Sequence, residues 1–407
     1  MTAPNGPVIF NSSTGSDTNS SGLGPASALS GAGASTTSAS AVVTGITTTG
    51  VTAGDMLWVQ SSSGRQFGVI ASVDSGTQVT CDDVFANSES SRTWAIGGKR
   101  ATFDNTDSRN LFNDLPAGGT IQTESNQAVT STIESYMAGT MGDRCVIRGA
   151  TGSEVVSFSG TTGWLFRFYG SHVTLSYMHT ERTGTSVNPM CRISGGTHYT
   201  FDTVMCNSQS NPFYGPVQTG GYGNYSTFRN CAFGHSLGMG FSLNVTSYCS
   251  FINCIFHDST QYGLLNNRGA YYFNCIFARN AMQGAVGSTG ATNSVYDSCI
   301  FWKNGVSSGV RPALTLNTGD NVLNCIFAEN YQDAISGSST ASYAATTDNV
   351  FYNNVGSDFT NPLPQFHNNI TLAADPFIDA ANGDFNLNTT NGGGGTLRST
   401  NYTIEGI

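Results

Sequence analysis

The sequence predicts an all-β protein: a right-handed parallel β-helix, or solenoid, preceded by a small antiparallel β domain. Three observations predict it. A short aromatic and cysteine-bearing block recurs through the second half of the chain with a period near 24 residues. Charged residues make up only 10% of the 407, while glycine alone contributes 49. That balance favours tight turns over long helices, because Gly and Asn tolerate positive φ. Finally, the apolar runs are short and rich in β-branched and aromatic residues, with Gly, Asn and Ser between them, which is the signature of strands.

The repeat is explicit. Phe228-Arg229-Asn230-Cys231-Ala232-Phe233 is followed by Phe251-Ile252-Asn253-Cys254-Ile255-Phe256 and Tyr272-Phe273-Asn274-Cys275-Ile276-Phe277. Two further copies are Tyr296-Asp297-Ser298-Cys299-Ile300-Phe301 and Val322-Leu323-Asn324-Cys325-Ile326-Phe327, with a decayed one ending at Phe351. Subtracting successive cysteine numbers (231, 254, 275, 299, 325) gives 23, 21, 24 and 26. The segments lack the 3.6-residue apolar period that helical repeats need. A coil of three short strands and three turns uses about 24 residues per rung.

Stacked rungs turn each motif position into a ladder with a spacing of ~4.8 Å. The Asn column (Asn253, Asn274, Asn324) is expected at left-handed turns, its amides bonding to the copies above and below. The Phe column (Phe256, Phe277, Phe301, Phe327) and the Cys column (Cys254, Cys275, Cys299, Cys325) are expected inside. The ten cysteines are then buried free thiols acting as small hydrophobes. Strand alternation points the intervening Ile255, Ile276, Ile300 and Ile326 outward. An apolar stripe of that length needs a cover, either a lateral homotrimer contact or a segment of the same chain.

These rungs resemble those of the pectin-lyase-like β-helix superfamily. The closing segment Asp375-Pro376-Phe377, continuing to Gly383-Asp384-Phe385-Asn386-Leu387, is similar to the ending of many members. The resemblance covers roughly residues 130–390 and speaks to fold far more than to activity, since the superfamily holds lyases, hydrolases, phage tailspikes and adhesins. It implies a virion protein, such as a tail fibre, tailspike or head fibre, that presents its β-helix to host surface polysaccharide. The alternatives are a polysaccharide lyase or glycoside hydrolase of the same fold, and a bacterial surface adhesin. The hydrolase pattern of the superfamily is missing: His235 is followed by Ser236, Asp82-Asp83 falls in the front domain, and Asn105-Thr106-Asp107 stands unaccompanied.

The expected organisation is a Gly/Ser/Thr-rich extended segment over 1–50, a small β domain over 51–105, the β-helix over 106–387 and a loose tail over 388–407. The front domain is expected from Met56-Leu57-Trp58-Val59-Gln60 and from the apolar runs starting at Phe67, Gln78 and Thr93, separated by turn residues. It serves either to attach the protein to other virion components or to cap the open end of the coil.

A formal charge of −10, with Lys99 and Lys303 the only lysines, argues against nucleic acid as a partner. No apolar run is long enough to insert in a membrane, and the first residues carry no secretory pattern. The expected location is therefore the virion, assembled in the host cytoplasm. No cofactor is called for, and the histidines His172, His179, His198 and His257 show no metal-ligand spacing with cysteines. The most ordered charged column lies two residues after each Phe: Asp258, Arg279, Lys303, Glu329, then Asn353. Asp258, Lys303 and Glu329, with Trp302 and Tyr352 beside them, form the candidate glycan site. The simpler reading of the same column, and the favoured one, is a surface ion-pair ladder. Next to it runs Ser259, Asn280, Asn304, Asn330 and Asn354, a second turn ladder.

Overall fold

A computed structural model describes residues 8–11, 29–62, 64–96, 119–123, 126–129, 132–135, 138–141, 144–151, 154–159, 164–182, 190–208, 217–220, 224–236, 239–244, 248–266, 269–287, 293–307, 311–337, 344–360 and 365–399. The chain divides into two compact units, residues 1–160 with 165–179, and residues 161–164 with 180–407. The expected boundary at 105 and 106 and the motif at 105–107 lie outside the described residues. No helix of the described residues is long and apolar enough to cross a membrane.

In the first unit six strands close an antiparallel barrel. Their order is Leu29–Thr36, Ser40–Thr44, Gln78–Phe85, Gly64–Ser75, Met56–Ser61 and Glu89–Ile96, which returns to Leu29–Thr36. Val43, Leu57, Val59, Val79, Trp94 and Ile96 fill it. The barrel draws its first two strands from the stretch expected to be extended. The small residues there have a packing role: a Cβ on Gly31 would stand 3.1 Å from the Trp94 indole. The same unit holds parallel rungs. Val8–Asn11 pairs with Thr120–Thr123, which pairs with Cys145–Gly149, which pairs with Val173–Arg182. The chain thus contributes a strand to the coil before it enters the barrel.

The second unit is a parallel β-solenoid with three ladders of strands, most of its rungs giving one strand to each. Thr227–Arg229, Ala232–Gly234 and Phe241–Asn244 belong to three such runs, preceded by Thr200–Ser208, which pairs with the first two, and Val217–Gly220, which pairs with the third. Ser250–Ile252, Ile255–His257 and Tyr262–Asn266 lie one rung on. Register follows the repeat. Phe233, Phe256, Phe277, Phe301, Phe327 and Phe351 are successive partners in the second strand ladder. Their rings stack inside, with Phe277–Phe301 and Phe301–Phe327 centroids both 4.6 Å apart and within 8° of parallel. The first strand ladder adds a second stack of Phe228, Phe251, Tyr272 and Tyr296. Each such pair contributes about 0.5–1.5 kcal/mol beyond the area it buries.

The thiols Cys231, Cys254, Cys275, Cys299 and Cys325 lie buried in single file, the carbonyls of the first four each accepting the N–H that follows the next cysteine and that of Cys325 accepting from Val350. Each of the last four also turns its Sγ to a carbonyl of an earlier rung: Cys254 to Phe228, Cys275 to Phe251, Cys299 to Tyr272 and Cys325 to Tyr296. Asn349 takes over the column and donates to Val322 O at 3.0 Å. The Asn column expected at left-handed turns is there: Asn230, Asn253, Asn274 and Asn324 have φ between 51° and 53°. Asn274 donates to Asn253 at 3.0 Å, and Asn253 to Asn230 at 3.2 Å. Asn324 turns to Asp297 instead, because Ser298 is too short to continue the ladder.

The lateral homotrimer contact offered for Ile255, Ile276, Ile300 and Ile326 needs correction. The chain's own C-terminal segment covers the stripe. Phe377, Ala380, Phe385, Leu387 and Leu397 form one apolar cluster with Ile276, Ile300, Ile326, Val350 and Trp302, and Ile255 packs at its margin. Full burial of an apolar side chain contributes roughly 1.5–3 kcal/mol, so covering the stripe is strongly favourable. The segment is a hairpin, Phe377–Asp379 against Asp384–Leu387, closed by Gly383 at φ +89°, and a short helix, Gly394–Ser399. Asn388 ties them together. Its Nδ2 donates to the carbonyls of Asp375 and Phe377, and its Oδ1 accepts the N–H groups of Thr390 and Gly394. Residues 388–399 of the tail expected to be loose are therefore packed, with Leu397 fully buried.

Candidate functional site

The solenoid turns its corners with residues in the left-handed conformation, five positions apart. Tyr225, Asn230 and His235 form one such set, and Tyr248, Asn253 and Asp258 the next. Gly269, Asn274 and Arg279 follow, then Asn293, Ser298 and Lys303, then Gly319, Asn324 and Glu329. An L-residue there costs about 1–2 kcal/mol relative to the right-handed region, least for Asn and nothing for Gly. Corner identity therefore separates what the coil needs from what it merely tolerates.

The charged column occupies one corner. Arg279 grips Asp258 with two bonds, Nε to Oδ1 at 2.7 Å and Nη2 to Oδ2 at 2.7 Å, and His257 Nδ1 lies 2.8 Å from Oδ2. Burial would raise the Asp258 carboxyl, but the Arg279 and His257 hydrogen bonds outweigh it and hold it well below the usual carboxylate range. Lys303 Nζ lies 3.2 Å from Glu329 Oε2, a partly exposed pair that contributes about 0–1 kcal/mol.

The candidate set of Asp258, Trp302, Lys303, Glu329 and Tyr352 is not one open surface. Trp302, expected as a face for sugars, is only 3% exposed. Its Nε1 donates to Glu329 Oε2 at 3.1 Å and its ring meets Phe385 edge-on at 5.6 Å. Lys303 Nζ sits 4.5 Å from the ring centroid. Tyr352 is half-buried against the same apolar cluster. The C-terminal hairpin roofs this column, so no aromatic face at Trp302 is free to stack. Elsewhere Arg229 pairs with Asp202 at 2.8 Å.

The sequence pattern missed an aromatic ladder at another corner. His198, Tyr225 and Tyr248 stack on adjacent rungs, with centroids 5.3 and 5.5 Å apart and interplanar angles of 22° and 7°. Tyr225 and Tyr248 are 54% and 63% exposed. Both hold φ near +60°, as does His198. The signal was available: each tyrosine stands five residues before the Asn of its motif, at Asn230 and Asn253. Tyr271, also exposed, lies on the outer side of the first strand ladder and stacks with Phe273.

A third grouping was missed as well. His235 occupies the charged column one rung before Asp258, and it stands edge-to-face with His257 at 5.1 Å. Spacing between histidines and cysteines passed over it, because the groups that meet here are two imidazoles and a carboxylate on adjacent rungs.

No family model matches the sequence, and no curated protein matches it at a significant level. Solved structures do. Pectate lyase Pel9A is 15% identical, with a TM-score of 0.43 over 64% of this chain and 68% of that one. ORF18 of Geobacillus virus E2 is 14% identical, with a TM-score of 0.37 over 67% of this chain. This chain spans 54% of the length of ORF18. The tailspike protein gp49 from Pseudomonas phage LKA1 is 13% identical, with a TM-score of 0.34 over 86% of this chain and 62% of that one. The fold itself rests on the strand pairing described above.

Proposed function

We propose that the chain is a structural, receptor-binding virion protein, a tail fibre, tailspike or head fibre, whose solenoid binds host surface glycans along its outer face. The observation that carries the reading is the ladder of His198, Tyr225 and Tyr248. At the equivalent corner of later rungs the coil uses Gly269, Asn293 and Gly319, the residues that this backbone prefers. Tyrosines at φ near +60° forgo about 1–2 kcal/mol each. Their high exposure returns little burial, and stacking restores only about 0.5–1.5 kcal/mol per pair. Folding does not ask for these rings, so a ligand does, and strained residues of this kind mark binding sites. Parallel exposed rings on adjacent rungs suit the flat apolar faces of a sugar chain.

Binding fits the charged groups better than cleavage does. Asp258 is held well below the usual carboxylate range by the Arg279 and His257 hydrogen bonds, which leaves it ill-suited as a general acid, and Glu329 is paired with Lys303. Ten buried free thiols are consistent with assembly in a reducing cytoplasm. A homotrimer attached to other virion proteins through the barrel belongs to the same reading, and mass photometry tests it: a stable monomer at micromolar concentration removes it.

The test of the glycan reading is a panel of bacterial capsular and O-antigen polysaccharides, assayed by biolayer interferometry. The double variant Tyr225→Asn, Tyr248→Asn installs residues that the corner already uses. It should fold at least as stably as the parent and bind at least about tenfold more weakly, roughly 1.4 kcal/mol. Unchanged affinity for a bound polysaccharide overturns the reading, and release of oligosaccharide products replaces it with cleavage.

A further inference from the structure

Among the described residues, His235, His257 and Asp258 each offer a ligand atom, and the three atoms lie within 4.8 Å of one another. The arrangement is built by the coil. Gly234 pairs with His257, so His235 and Asp258 stand on adjacent rungs, both left-handed at φ 50° and 52°. Gly234 is needed for it. A Cβ there would come within 2.4 to 2.7 Å of three ring atoms of His257, so the imidazole lies in the space that a side chain at 234 would fill. The Asp258–Arg279 pair and the His257–Asp258 contact would by themselves account for two of the three groups. They account neither for His235, which is exposed and left-handed with no burial to gain, nor for the cradle at Gly234.

We infer that His235, His257 and Asp258 form a binding site for one divalent transition-metal ion, with Zn2+ the best match. Two imidazole nitrogens and one carboxylate oxygen are the donor set of borderline dications. Three protein ligands leave a fourth position for water or for an oxygen of a bound molecule. Ca2+ and Mg2+ need a shell of oxygens that this site lacks. Asp258 Oδ1 keeps the bond from Arg279 Nε, which fixes the carboxylate, while Oδ2 turns from its present hydrogen bonds to the ion. The ordering of a ligating carboxylate by an outer partner is the usual second tier of a metal site. The site stands independently of the glycan reading.

The experiment is calorimetric titration of the tag-free full chain with ZnCl2, NiCl2 and CaCl2, followed by Co2+ substitution read in the visible spectrum. One equivalent of Zn2+ and of Ni2+ should bind, Ca2+ should not saturate the site, and the Co2+ protein should show the intense bands of a four-coordinate ion. His235→Ala, at an exposed corner, should leave thermal stability unchanged and weaken Zn2+ binding at least about tenfold. Gly234→Ala should weaken it by displacing the His257 ring. Zn2+ affinity indifferent to His235→Ala, the lack of a one-to-one site, or Ca2+ bound as tightly as Zn2+ overturns the inference.

Discussion

Replacing Asn304 by alanine tests how the interior of the coil is held together. Asn304 is fully buried and sits in a ladder that runs through Asn280, Asn304, Asn330 and Asn354. Its Nδ2 donates to Phe277 O at 2.8 Å and to Asn330 Oδ1 at 3.2 Å, and its Oδ1 accepts from the backbone N–H and the Nδ2 of Asn280 at 3.2 and 3.0 Å. Truncation leaves the Phe277 carbonyl, the Asn280 N–H and one Asn280 amide proton facing a space too dry to satisfy them. A stranded buried group costs about 1–3 kcal/mol, and shared relaxation brings three of them to roughly 3–6 kcal/mol. For a unit of this size that is a fall in melting temperature on the order of 10 °C. Circular dichroism at fixed scan rate reads the shift, and hydrogen exchange should place the lost protection on the rungs around 280 and 304. Asn354→Ala is the internal control. Asn354 makes the same kind of bonds, to Phe327 O at 3.0 Å and from Asn330 at 2.9 Å, but it is half-exposed and water can replace them. Its loss should cost about 1 kcal/mol. A shift below about 2 °C for Asn304→Ala, or equal shifts for the two variants, refutes the reasoning that buried amide satisfaction holds the rungs.

Two further outcomes follow from the packing and the buried charge. Removing residues 388–407 takes away Leu397 and the Asn388 staple, so the stripe of Ile276, Ile300 and Ile326 should open. Size-exclusion chromatography should show self-association and an apolar dye should bind, whereas an unchanged elution profile with no dye binding counts against the cover; Leu397→Ala alone should cost about 2–5 kcal/mol. Asp320 is buried, accepts the N–H groups of Ser294 and Asn317 at 2.8 Å each, and is pushed by burial from 3.8 up to about 6. The folded state therefore holds this proton more tightly than the unfolded chain. The group favours folding most below pH 3.8 and that advantage is lost as pH rises through about 6, roughly 3 kcal/mol in all. Parent and Asp320→Asn melting curves compared from pH 4 to 7 should diverge over that window, with the parent losing ground; parallel curves contradict it.

The parts of this fold that were readable from the sequence are those where one side chain must repeat. Phe277, Phe301 and Phe327 fill the same interior slot on each rung, so any other residue leaves a cavity and the column stays uniform. Asn253 and Asn274 repeat because a left-handed corner penalises most alternatives. Once Phe fixes the register, the neighbours follow: Asp258 must meet Arg279, and Lys303 must meet Glu329. What the repeat could not convey was the roof over the second strand ladder. Phe385 and Leu397 come from a closing segment that has no period, so nothing in their spacing ties them to Ile276 or Trp302. Trp302 therefore looked like a surface ring when judged by its column, and the hairpin that buries it decides otherwise. Leu29–Thr36 was obscured for a different reason. Its Gly and Ala residues resemble a linker by composition, whereas the bulk of Trp94 on the facing strand demands them.

The ladders that were overlooked share a physical property with the corners on which they sit. At several corners the backbone N–H bonds to the next rung whether the side chain is amide, acid or base: Asn253 to Phe273 O, Asp258 to Ala278 O, Arg279 to Trp302 O, Lys303 to Ala328 O and Glu329 to Tyr352 O. These corners close through the main chain, so a side chain such as that of Asp258 or Lys303 is not needed to hold the turn, although the amides of Asn230, Asn253 and Asn274 add a ladder of their own. Where the left-handed penalty is offset within the protein, the residue has a structural explanation. Asp258 with Arg279, and Lys303 with Glu329 and the Trp302 ring, are offset in this way. Tyr225 and Tyr248 recover only their stacking and stay exposed, where later rungs use Gly269, Asn293 and Gly319, and exposed His235 has a single edge-to-face contact with His257. Function in a solenoid of this kind is then sought at corners whose occupants the fold itself would not choose, and these three satisfy that criterion on adjacent rungs.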